Sequence, residues 1–353
     1  MQIDWHNKLY LAPLTTVGNL PFRRLCKRLG ADVTCSEMAM ASSLLQGSSS
    51  DWALVRRHES EDLFGIQICG NQPDMLARCA ELLSEETDAS FIDLNCGCPI
   101  DQIFQKGCGS ALLARRQRLK DIVQGMRVCS KIPITVKVRT GVHGDRPTTH
   151  KMVHEMRSWG VSALTIHGRS RQQRYTKYAN WDYIKDCVEA APDLPIFGNG
   201  DILSWEHAVQ HQASTGVSGV MLARGALIKP WLFTEIKEQR TWDISSMERF
   251  EQLQEFCKYG LEHWGSDHAG VERTRRFLLE MLSFTCRYIP AGLLEVLPQH
   301  MNDRPPVFTG RNDLETLLSS QRPHDWVKIS EMLLGPVPPG FFFEAKHKAN
   351  SWG

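Results

Sequence analysis

Residues 195–225, PIFGNGDILSWEHAVQHQASTGVSGVMLARG, contain one complete strand and helix unit and the start of the next. The short apolar runs at 195–197 and 219–222 predict two strands, and the stretch between them is long enough for one helix. Strands that alternate with helices in this way predict a parallel sheet. This segment therefore defines the repeating unit of the fold.

Six further apolar, β-rich runs precede this segment, with helical stretches between them. They lie at residues 9–13, 32–36, 64–68, 91–95, 134–138 and 163–166. Eight such units in residues 1–239 fit a closed (β/α)8 barrel, the TIM barrel, better than an open sheet. A flavodoxin-like or Rossmann sheet is the alternative.

The strand pattern stops after residue 239, and amphipathic helices follow. One predicted helical face consists of Phe250, Leu253, Cys257, Gly260 and Trp264. A second helix has its apolar side within 271–282, Asn312 is placed to cap a third, and Gly335 ends the last one. We therefore predict a barrel domain at 1–239 and an all-α helical domain at 240–353.

Composition narrows the class of protein. Of the 353 residues, 42% are hydrophobic and 23% are charged, which is typical of a chain with a large core. The net charge of +1 means that nucleic-acid binding would depend on local basic patches. The 11 cysteines occur without a secretory leader or a membrane-length apolar run, which predicts reduced thiols in a cytosolic or nuclear protein. We expect a monomer without a membrane partner.

The ends of the predicted strands carry polar and small residues, and in a barrel these positions line the mouth. They are Ala12, Pro13 and Leu14, then Gln67, Asn95, Lys137, Arg139, His167 and Arg169. The loops after the last two strands contain Asn199, Gly200 and Asp201, and Ala223 and Arg224. Glycines in such loops allow close approach to a phosphate, and an arginine can bind it with two hydrogen bonds. A phosphorylated cofactor is therefore predicted.

The neighbours of these two loops suit a flavin. A cation at the pyrimidine end of a reduced flavin stabilises its negative charge, and Lys137 with His167 would supply one. The amides of Gln67 and Asn199 can pair with both donors and acceptors on the ring edge. The set predicts FMN, with an ion pair at the barrel mouth as the alternative role for Lys137.

Cys98 lies in a Gly-Cys-Pro turn after the fourth strand. A thiol is mostly protonated near neutral pH, so Cys98 can deliver a proton as a general acid. Nucleophilic catalysis with His167 as the base is the alternative. Cys96 and Cys98 have no second Cys/His pair at ligand spacing, so we expect no metal site.

The segment 169–178, RSRQQRYTKY, combines four cations with two aromatic rings. Phosphate pairing and base stacking are the means by which looped RNA is recognised. The candidates for substrate binding at the mouth are Asn95, Arg139, Arg169, Arg171, Arg174 and Lys177. A solvated charged face is the alternative for this segment.

At these motifs the chain resembles the tRNA-dihydrouridine synthases. The shared features are residues 12–14, the turn at 95–99, Lys137, the triplet at 167–169 and the loops at 198–201 and 223–225. Longer stretches at 224–246, 263–306 and 329–339 resemble the eukaryotic type that acts at position 47 of tRNA. The resemblance covers essentially the whole chain.

The resemblance implies that the mouth residues bind FMN, namely residues 12–14, Gln67, Lys137, His167, residues 199–201, Ala223 and Arg224. It also implies that Cys98 is the proton donor and NADPH the reductant, and that the substrate is a variable-loop uridine of tRNA, with messenger RNA a further candidate. Such proteins often carry N-terminal CCCH zinc fingers, which this sequence does not show, so we expect a catalytic part or a shortened member. Cys108 stands where the family usually has glycine.

Two other functions compete with this interpretation. One is a flavin barrel enzyme for a small molecule, such as a dihydroorotate-type dehydrogenase, and the other is an RNA-binding factor without catalysis. The arginine-rich segment and the helical domain argue against the first. The flavin set together with Cys98 argues against the second.

Overall fold

The structure of the protein, a computed structural model, describes residues 3–293 and 308–346. In this part of the chain nine strands form one sheet. They are β1 (Lys8–Leu11), β2 (Thr34–Cys35), β3 (Ala39–Met40), β4 (Phe64–Cys69), β5 (Phe91–Cys96), β6 (Ile134–Arg139), β7 (Val161–His167), β8 (Ile196–Asn199) and β9 (Gly219–Leu222).

Eight of these strands form a parallel barrel that is nearly closed. Their order is β1, β9, β8, β7, β6, β5, β4 and β2, and the short β3 pairs with β4 outside this path. The two ends of the path meet, because Tyr10 of β1 forms a parallel bridge with Val33 beside β2. All eight predicted runs overlap strands of this barrel, so the TIM-barrel prediction is confirmed and the open-sheet alternative is wrong.

Fifteen α-helices surround and follow the strands within the described residues. They are α1 (Leu20–Arg28), α2 (Ala41–Leu45), α3 (Ser49–Leu54), α4 (Pro73–Glu86), α5 (Asp101–Gln105), α6 (Arg116–Cys129), α7 (Val153–Trp159), α8 (Trp181–Glu189), α9 (Trp205–Thr215), α10 (Arg224–Ile228), α11 (Leu232–Glu238), α12 (Ser246–Trp264), α13 (His268–Thr285), α14 (Asp313–Ser319) and α15 (Pro323–Leu334). None of these helices has the length and apolar character needed to cross a membrane.

The barrel interior changes from apolar to polar along its axis. Near the N-terminal ends of the strands, Trp5 and Tyr10 contact Phe91 and Phe197 edge to face, with ring centroids 5.2–6.1 Å apart. Successive inward positions on β5 and β8 then carry polar side chains, because residues two apart on a strand face the same side. The aromatic layer therefore closes one end, and the polar side chains collect at the C-terminal mouth.

Two helix ends after the barrel, the cap at Asn312 and the end at Gly335, lie where the sequence predicts. Ser245 caps α12 with a reciprocal capping box, and the Asn312 side chain accepts from the backbone N–H of Glu315 at the start of α14. Helices α12 and α13 cross closely at Gly260, where a Cβ atom would lie 2.5 Å from the Thr274 side chain. One continuous buried cluster joins these helices to the barrel. The division into two domains at residue 239 stays a prediction.

Candidate functional site

The predicted mouth residues of adjacent strands lie side by side. Strand register pairs Asn95 with Lys137, and it pairs His167 with both Arg139 and Asn199. The Lys137 ammonium donates to Asn199 Oδ1 at 3.3 Å, and the Asn199 amide donates to the Met221 carbonyl at 2.8 Å. The structure therefore brings predicted site residues from four strands, β5 to β8, into one polar layer.

The charge of this layer differs between Lys137 and His167. Burial lowers the pKa of Lys137 to about 8, and Arg139 adds to this effect. Burial also lowers the pKa of His167 well below its usual range, and the cations Arg139, Lys137 and Arg169 lower it further. Lys137 thus remains mostly protonated at neutral pH, whereas His167 is neutral. Of the two side chains predicted to supply a cation, only Lys137 carries the charge.

The two predicted phosphate loops lie against each other at the mouth. Gly200 has φ 133° and Asp201 has φ 55°, so the first loop needs the left-handed backbone that glycine adopts readily. A Cβ atom on Gly225 would lie 2.1 Å from the Ile202 carbonyl oxygen, so the second loop approaches the first more closely than another residue would allow. The Arg224 guanidinium is 3.5 Å from Asp201 Oδ1. The backbones of the two loops and the Arg224 guanidinium therefore lie close together at the mouth.

The end of β1 completes the same rim. The backbone N–H of Ala12 donates to the Leu222 carbonyl at 2.8 Å, which fixes residues 12–14 beside the loop that follows β9. Ala12 is buried, and Pro13 and Leu14 are half-buried. These three residues therefore supply an apolar wall next to the two loops.

Arg169 and Asp201 form a buried pair below this rim. The Arg169 side chain is fully buried and donates to both Asp201 carboxylate oxygens at 2.7 Å and to the Lys177 carbonyl. Asp201 also accepts from the backbone N–H of Ala179 at 2.7 Å. The Asp201 carboxylate is thus engaged within the protein, and Arg169 holds the segment 169–178 in place. A contact of Arg169 with RNA stays a prediction.

The Cys98 turn is fixed by hydrogen bonds to its backbone. Asn95 Oδ1 accepts from the N–H groups of Gly97 at 3.1 Å and of Cys98 at 2.9 Å. The Ser110 hydroxyl donates to the Cys98 carbonyl at 2.7 Å. The thiol of Cys98 is half-buried, and burial raises its pKa, so it is protonated at neutral pH. Cys96, in contrast, is fully buried among the apolar residues between strands and helices.

Arg139 joins the Cys98 turn to the arginine-rich segment. Its guanidinium donates to the carbonyls of Gly97 at 2.7 Å, Ser170 at 3.0 Å and Arg174 at 3.0 Å. Only 3% of Arg139 is exposed. The structure therefore gives Arg139 an internal role, although we predicted that it binds substrate.

The outer cations of the segment lie on the surface. Arg171 and Arg174 both contact the Asp101 carboxylate, at 2.5 Å and 3.1 Å, and Arg171 also stacks over the Phe104 ring. Arg174 and Lys177 are exposed, as are the rings of the two tyrosines at 175 and 178. Cations and aromatic rings are thus exposed together at the mouth. This exposure fits RNA binding and the solvated-face alternative equally well.

Several residues of this site do not lie at the ends of predicted strands, so they were not predicted from the sequence. Asp93 and Thr135 lie inside the barrel below the mouth, Ser110 holds the Cys98 turn, and Asp101 contacts the arginine-rich segment. Asp93 shares a strand face with Asn95, so period-two alternation could have identified it. Nothing local in the sequence marks Ser110, because its partner is twelve residues away.

A parallel barrel with two glycine loops, a lysine and a protonated thiol at its mouth defines the class of this protein, a TIM barrel with a polar site at the C-terminal ends of its strands. Comparison with known proteins narrows the class. The family model for dihydrouridine synthases (Dus) matches residues 10–283. This chain belongs to the dihydrouridine synthase family.

Curated relatives agree with this assignment. The chain is 62% identical over 350 residues to tRNA-dihydrouridine(47) synthase [NAD(P)(+)]-like of Xenopus tropicalis, covering 99% of this chain and 55% of that protein. It is 60% identical to the protein of the same name from Homo sapiens, with 99% and 54% covered. This chain therefore spans about half the length of these relatives.

Solved structures of low identity support the fold alone. Histamine dehydrogenase from Rhizobium sp. 4-9 is 13% identical with a TM-score of 0.50, over 81% of this chain and 58% of that one. TcOYE with pHBA is 10% identical with a TM-score of 0.51, over 67% and 90%.

Proposed function

We propose that this chain reduces a uridine of tRNA to dihydrouridine, with FMN as its cofactor, NADPH as the reductant and position 47 as the target. The observation that carries the proposal is the protonated Cys98 thiol on a turn held by Asn95, a side chain of the same polar layer as Lys137. A proton donor thus stands beside the residues that suit a flavin. The names of the curated relatives support tRNA as the substrate.

The side chains present fit FMN. Arg224 makes one long contact with a carboxylate, 3.5 Å from its Nη2 to Asp201 Oδ1, so its other donors could bind a phosphate between the two glycine loops. Lys137 would offer its charge to the pyrimidine edge of the ring, and Gln67 and Asn199 would offer amides. FMN held by these residues would supply, after its reduction by NADPH, the hydride for C6 of uracil.

Cys98 acts as the general acid in this proposal. Reduction of the C5–C6 double bond needs a proton at C5 in addition to the hydride at C6. Burial keeps that proton on Sγ, while the Ile100 backbone N–H and Arg139 lower the pKa of the thiol and so favour its release. His167 is neutral and can donate or accept a hydrogen bond, but the nucleophilic alternative has no part in a reduction.

The exposed side of the segment 169–178 would receive the RNA. Arg174 and Lys177 can pair with phosphates, and Tyr175 and Tyr178, which are 50% and 57% exposed, offer faces for base stacking. We further propose that the chain acts as a monomer in the cytosol or nucleus, and that residues 240–353 form a tRNA-binding helical domain. Arg275 of α13 would not contribute to such binding, because its side chain is fully buried and donates to Ser330 and to the carbonyls at 334–336.

A single-turnover assay tests the proposal. The protein is loaded with FMN, reduced with NADPH and mixed with a tRNA transcript that carries uridine at position 47, and dihydrouridine is quantified by mass spectrometry. A transcript with cytidine at position 47 is the matched control. We expect one dihydrouridine in the first transcript and none in the second. Equal product in both would refute position 47, and bound FMN without product in either would favour the small-molecule rival.

A further inference from the structure

Asp93 is a buried carboxylate that the proposed reaction does not use. Strand register places it between Gln67 on β4 and Thr135 on β6. Gln67 Nε2 donates to Asp93 Oδ2 at 2.8 Å, and the Thr135 hydroxyl donates to Oδ1 at 2.7 Å. Only 2% of Asp93 is exposed. Because a buried carboxylate is costly unless it is paired, its position in the barrel interior calls for a physical reason.

The hydrogen bonds from the Cys98 turn to Asp93 form a chain in which the donor and the acceptor of each bond are fixed. Backbone N–H groups can only donate, so Asn95 must turn its oxygen to the Cys98 turn and its NH2 group to Gln67 Oε1, 2.8 Å away. Gln67 must then turn its NH2 group to the next partner, which has to accept. An ionised Asp93 is such a partner. A flipped Gln67 amide would bring two NH2 groups together and its oxygen against a carboxylate.

Asp93 is also a counter-charge for Lys137. Lys137 lies two residues beyond Thr135 on the same face of β6, so it stands diagonally across from Asp93. Around the ammonium group are Arg139 on its own strand, His167 on β7, Asn199 on β8 and the Cys35 thiol on β2. Burial keeps Cys35 and His167 neutral. Asp93 therefore opposes the effects of burial and Arg139 on Lys137. Burial raises the pKa of Asp93 itself, whereas its hydrogen bonds to Gln67 and Thr135 and the charge of Lys137 lower it and so favour the ionised carboxylate.

We propose that Asp93 is the positioning residue of this mouth, whose ionised carboxylate fixes the Gln67 amide in one orientation and serves as the counter-charge of Lys137. Through Gln67 and Asn95 the same carboxylate steadies the Cys98 turn. The inference rests on the proposed function only in so far as Gln67, Lys137 and Cys98 are the groups that act there. The bonds and charges themselves do not depend on it.

The role of Asp93 as a counter-charge is tested by chemical labelling of Lys137. Acetic anhydride reacts with unprotonated amines, so the labelling of the Lys137 peptide against pH, read by mass spectrometry, gives the midpoint of its titration. Exposed Lys258 is the internal reference. In the parent we expect a midpoint near pH 8, as for a pKa of about 8. In Asp93→Asn the midpoint should fall by about one pH unit, because an opposite charge a few ångströms away raises a lysine pKa by roughly that amount.

The matched control is Thr135→Val, which removes one hydrogen bond to Asp93 but keeps the charge, so its midpoint should equal that of the parent. The asparagine of Asp93→Asn can still accept from Gln67 and donate to Thr135, so this variant should fold. An unchanged midpoint in Asp93→Asn, or equal shifts in both variants, would overturn the counter-charge role.

The role of Asp93 in orienting the Gln67 amide is tested by hydrogen exchange at the Cys98 turn. Asp93→Leu removes the acceptor for Gln67, so exchange in a peptide covering residues 95–100 should become about tenfold faster, the effect of one lost hydrogen bond. Asp93→Asn should keep the parental rate. If Asp93→Leu does not fold, Gln67→Leu interrupts the same chain and gives the same readout. Parental exchange in the leucine variant would overturn the positioning role.

Adding FMN separates this inference from the proposed function. FMN bound at the mouth should protect Lys137 of the parent from acetic anhydride. Absence of protection at saturating FMN would remove the flavin site from the proposal. The midpoints measured without FMN would still decide whether Asp93 is the counter-charge of Lys137.

Discussion

Replacing Arg139 by methionine tests whether this buried arginine holds two loops together or binds RNA. Methionine keeps most of the aliphatic stem and removes three charge-assisted hydrogen bonds, those to the carbonyls of Gly97, Ser170 and Arg174. Arg174 is exposed, so water can replace the guanidinium at its carbonyl. The other two acceptors are half-buried or buried and lose their partner outright.

The expected loss of stability in the closed loops follows from the hydrogen bonds of Arg139 to the carbonyls of Gly97 and Ser170. A hydrogen bond to a charged group contributes about 1.5–3 kcal/mol. The lower end applies, because burial and the cations Arg169 and Arg224 already oppose the charge of Arg139 and lower its pKa to about 10. Two bonds then stabilise the closed loops by about 3 kcal/mol. Since 1.36 kcal/mol is a factor of ten, local opening should become more frequent by about two orders of magnitude.

Hydrogen exchange followed by mass spectrometry measures this opening. Peptides covering 95–100 and 168–176 should exchange about 100-fold faster in Arg139→Met, whereas the strands keep their protection. Arg146→Met is the control, because the Arg146 side chain is 81% exposed and lies between the same strand and α7. If both peptides exchange at the parental rate while tRNA affinity falls, then Arg139 contacts RNA and the anchoring argument is refuted.

Three further changes test the remaining site residues. Arg224→Ala should raise the Kd of FMN about 10- to 150-fold in a fluorescence titration, because a bidentate phosphate contact of about 1.5–3 kcal/mol is lost; an unchanged Kd would remove Arg224 from the site. Arg171→Ala combined with Arg174→Ala should weaken tRNA binding and flatten its salt dependence, with FMN affinity intact. A parental salt series would identify that face as merely solvated. Cys98→Ala should slow the single-turnover reduction of uridine by about 100- to 10,000-fold, while Cys96→Ala should slow it much less; equal losses would mean that the proton comes from elsewhere.

The barrel could be predicted because buried parallel strands appear in a sequence as short apolar runs. The run at 219–222 coincides with β9 at both ends, and the run at 9–13 overlaps β1 but extends two residues past it. β3 (Ala39–Met40) was missed, since two residues show no periodicity. Strand existence is therefore readable from composition, whereas strand ends depend on hydrogen bonds that the sequence does not display.

The site could be predicted only as far as strand ends reveal it. Lys137, His167 and Asn199 follow from their places at the ends of strands, and the structure brings them together. Arg169 was grouped with surface cations, because a charged segment gives no sign of which member is buried. Its partner Asp201 is 32 residues away, and only the folded chain brings the two together.

The pairing of charges at the mouth explains where an anionic ligand would bind. Asp201 is engaged by Arg169, and Asp93 lies across from Lys137. Arg139 bonds backbone carbonyls, so its donors are occupied although its charge is not neutralised. Arg224 remains, with its nearest carboxylate at 3.5 Å and its pKa lowered to about 10 by burial and by Arg169. A phosphate beside Arg224 would offset this excess of positive charge.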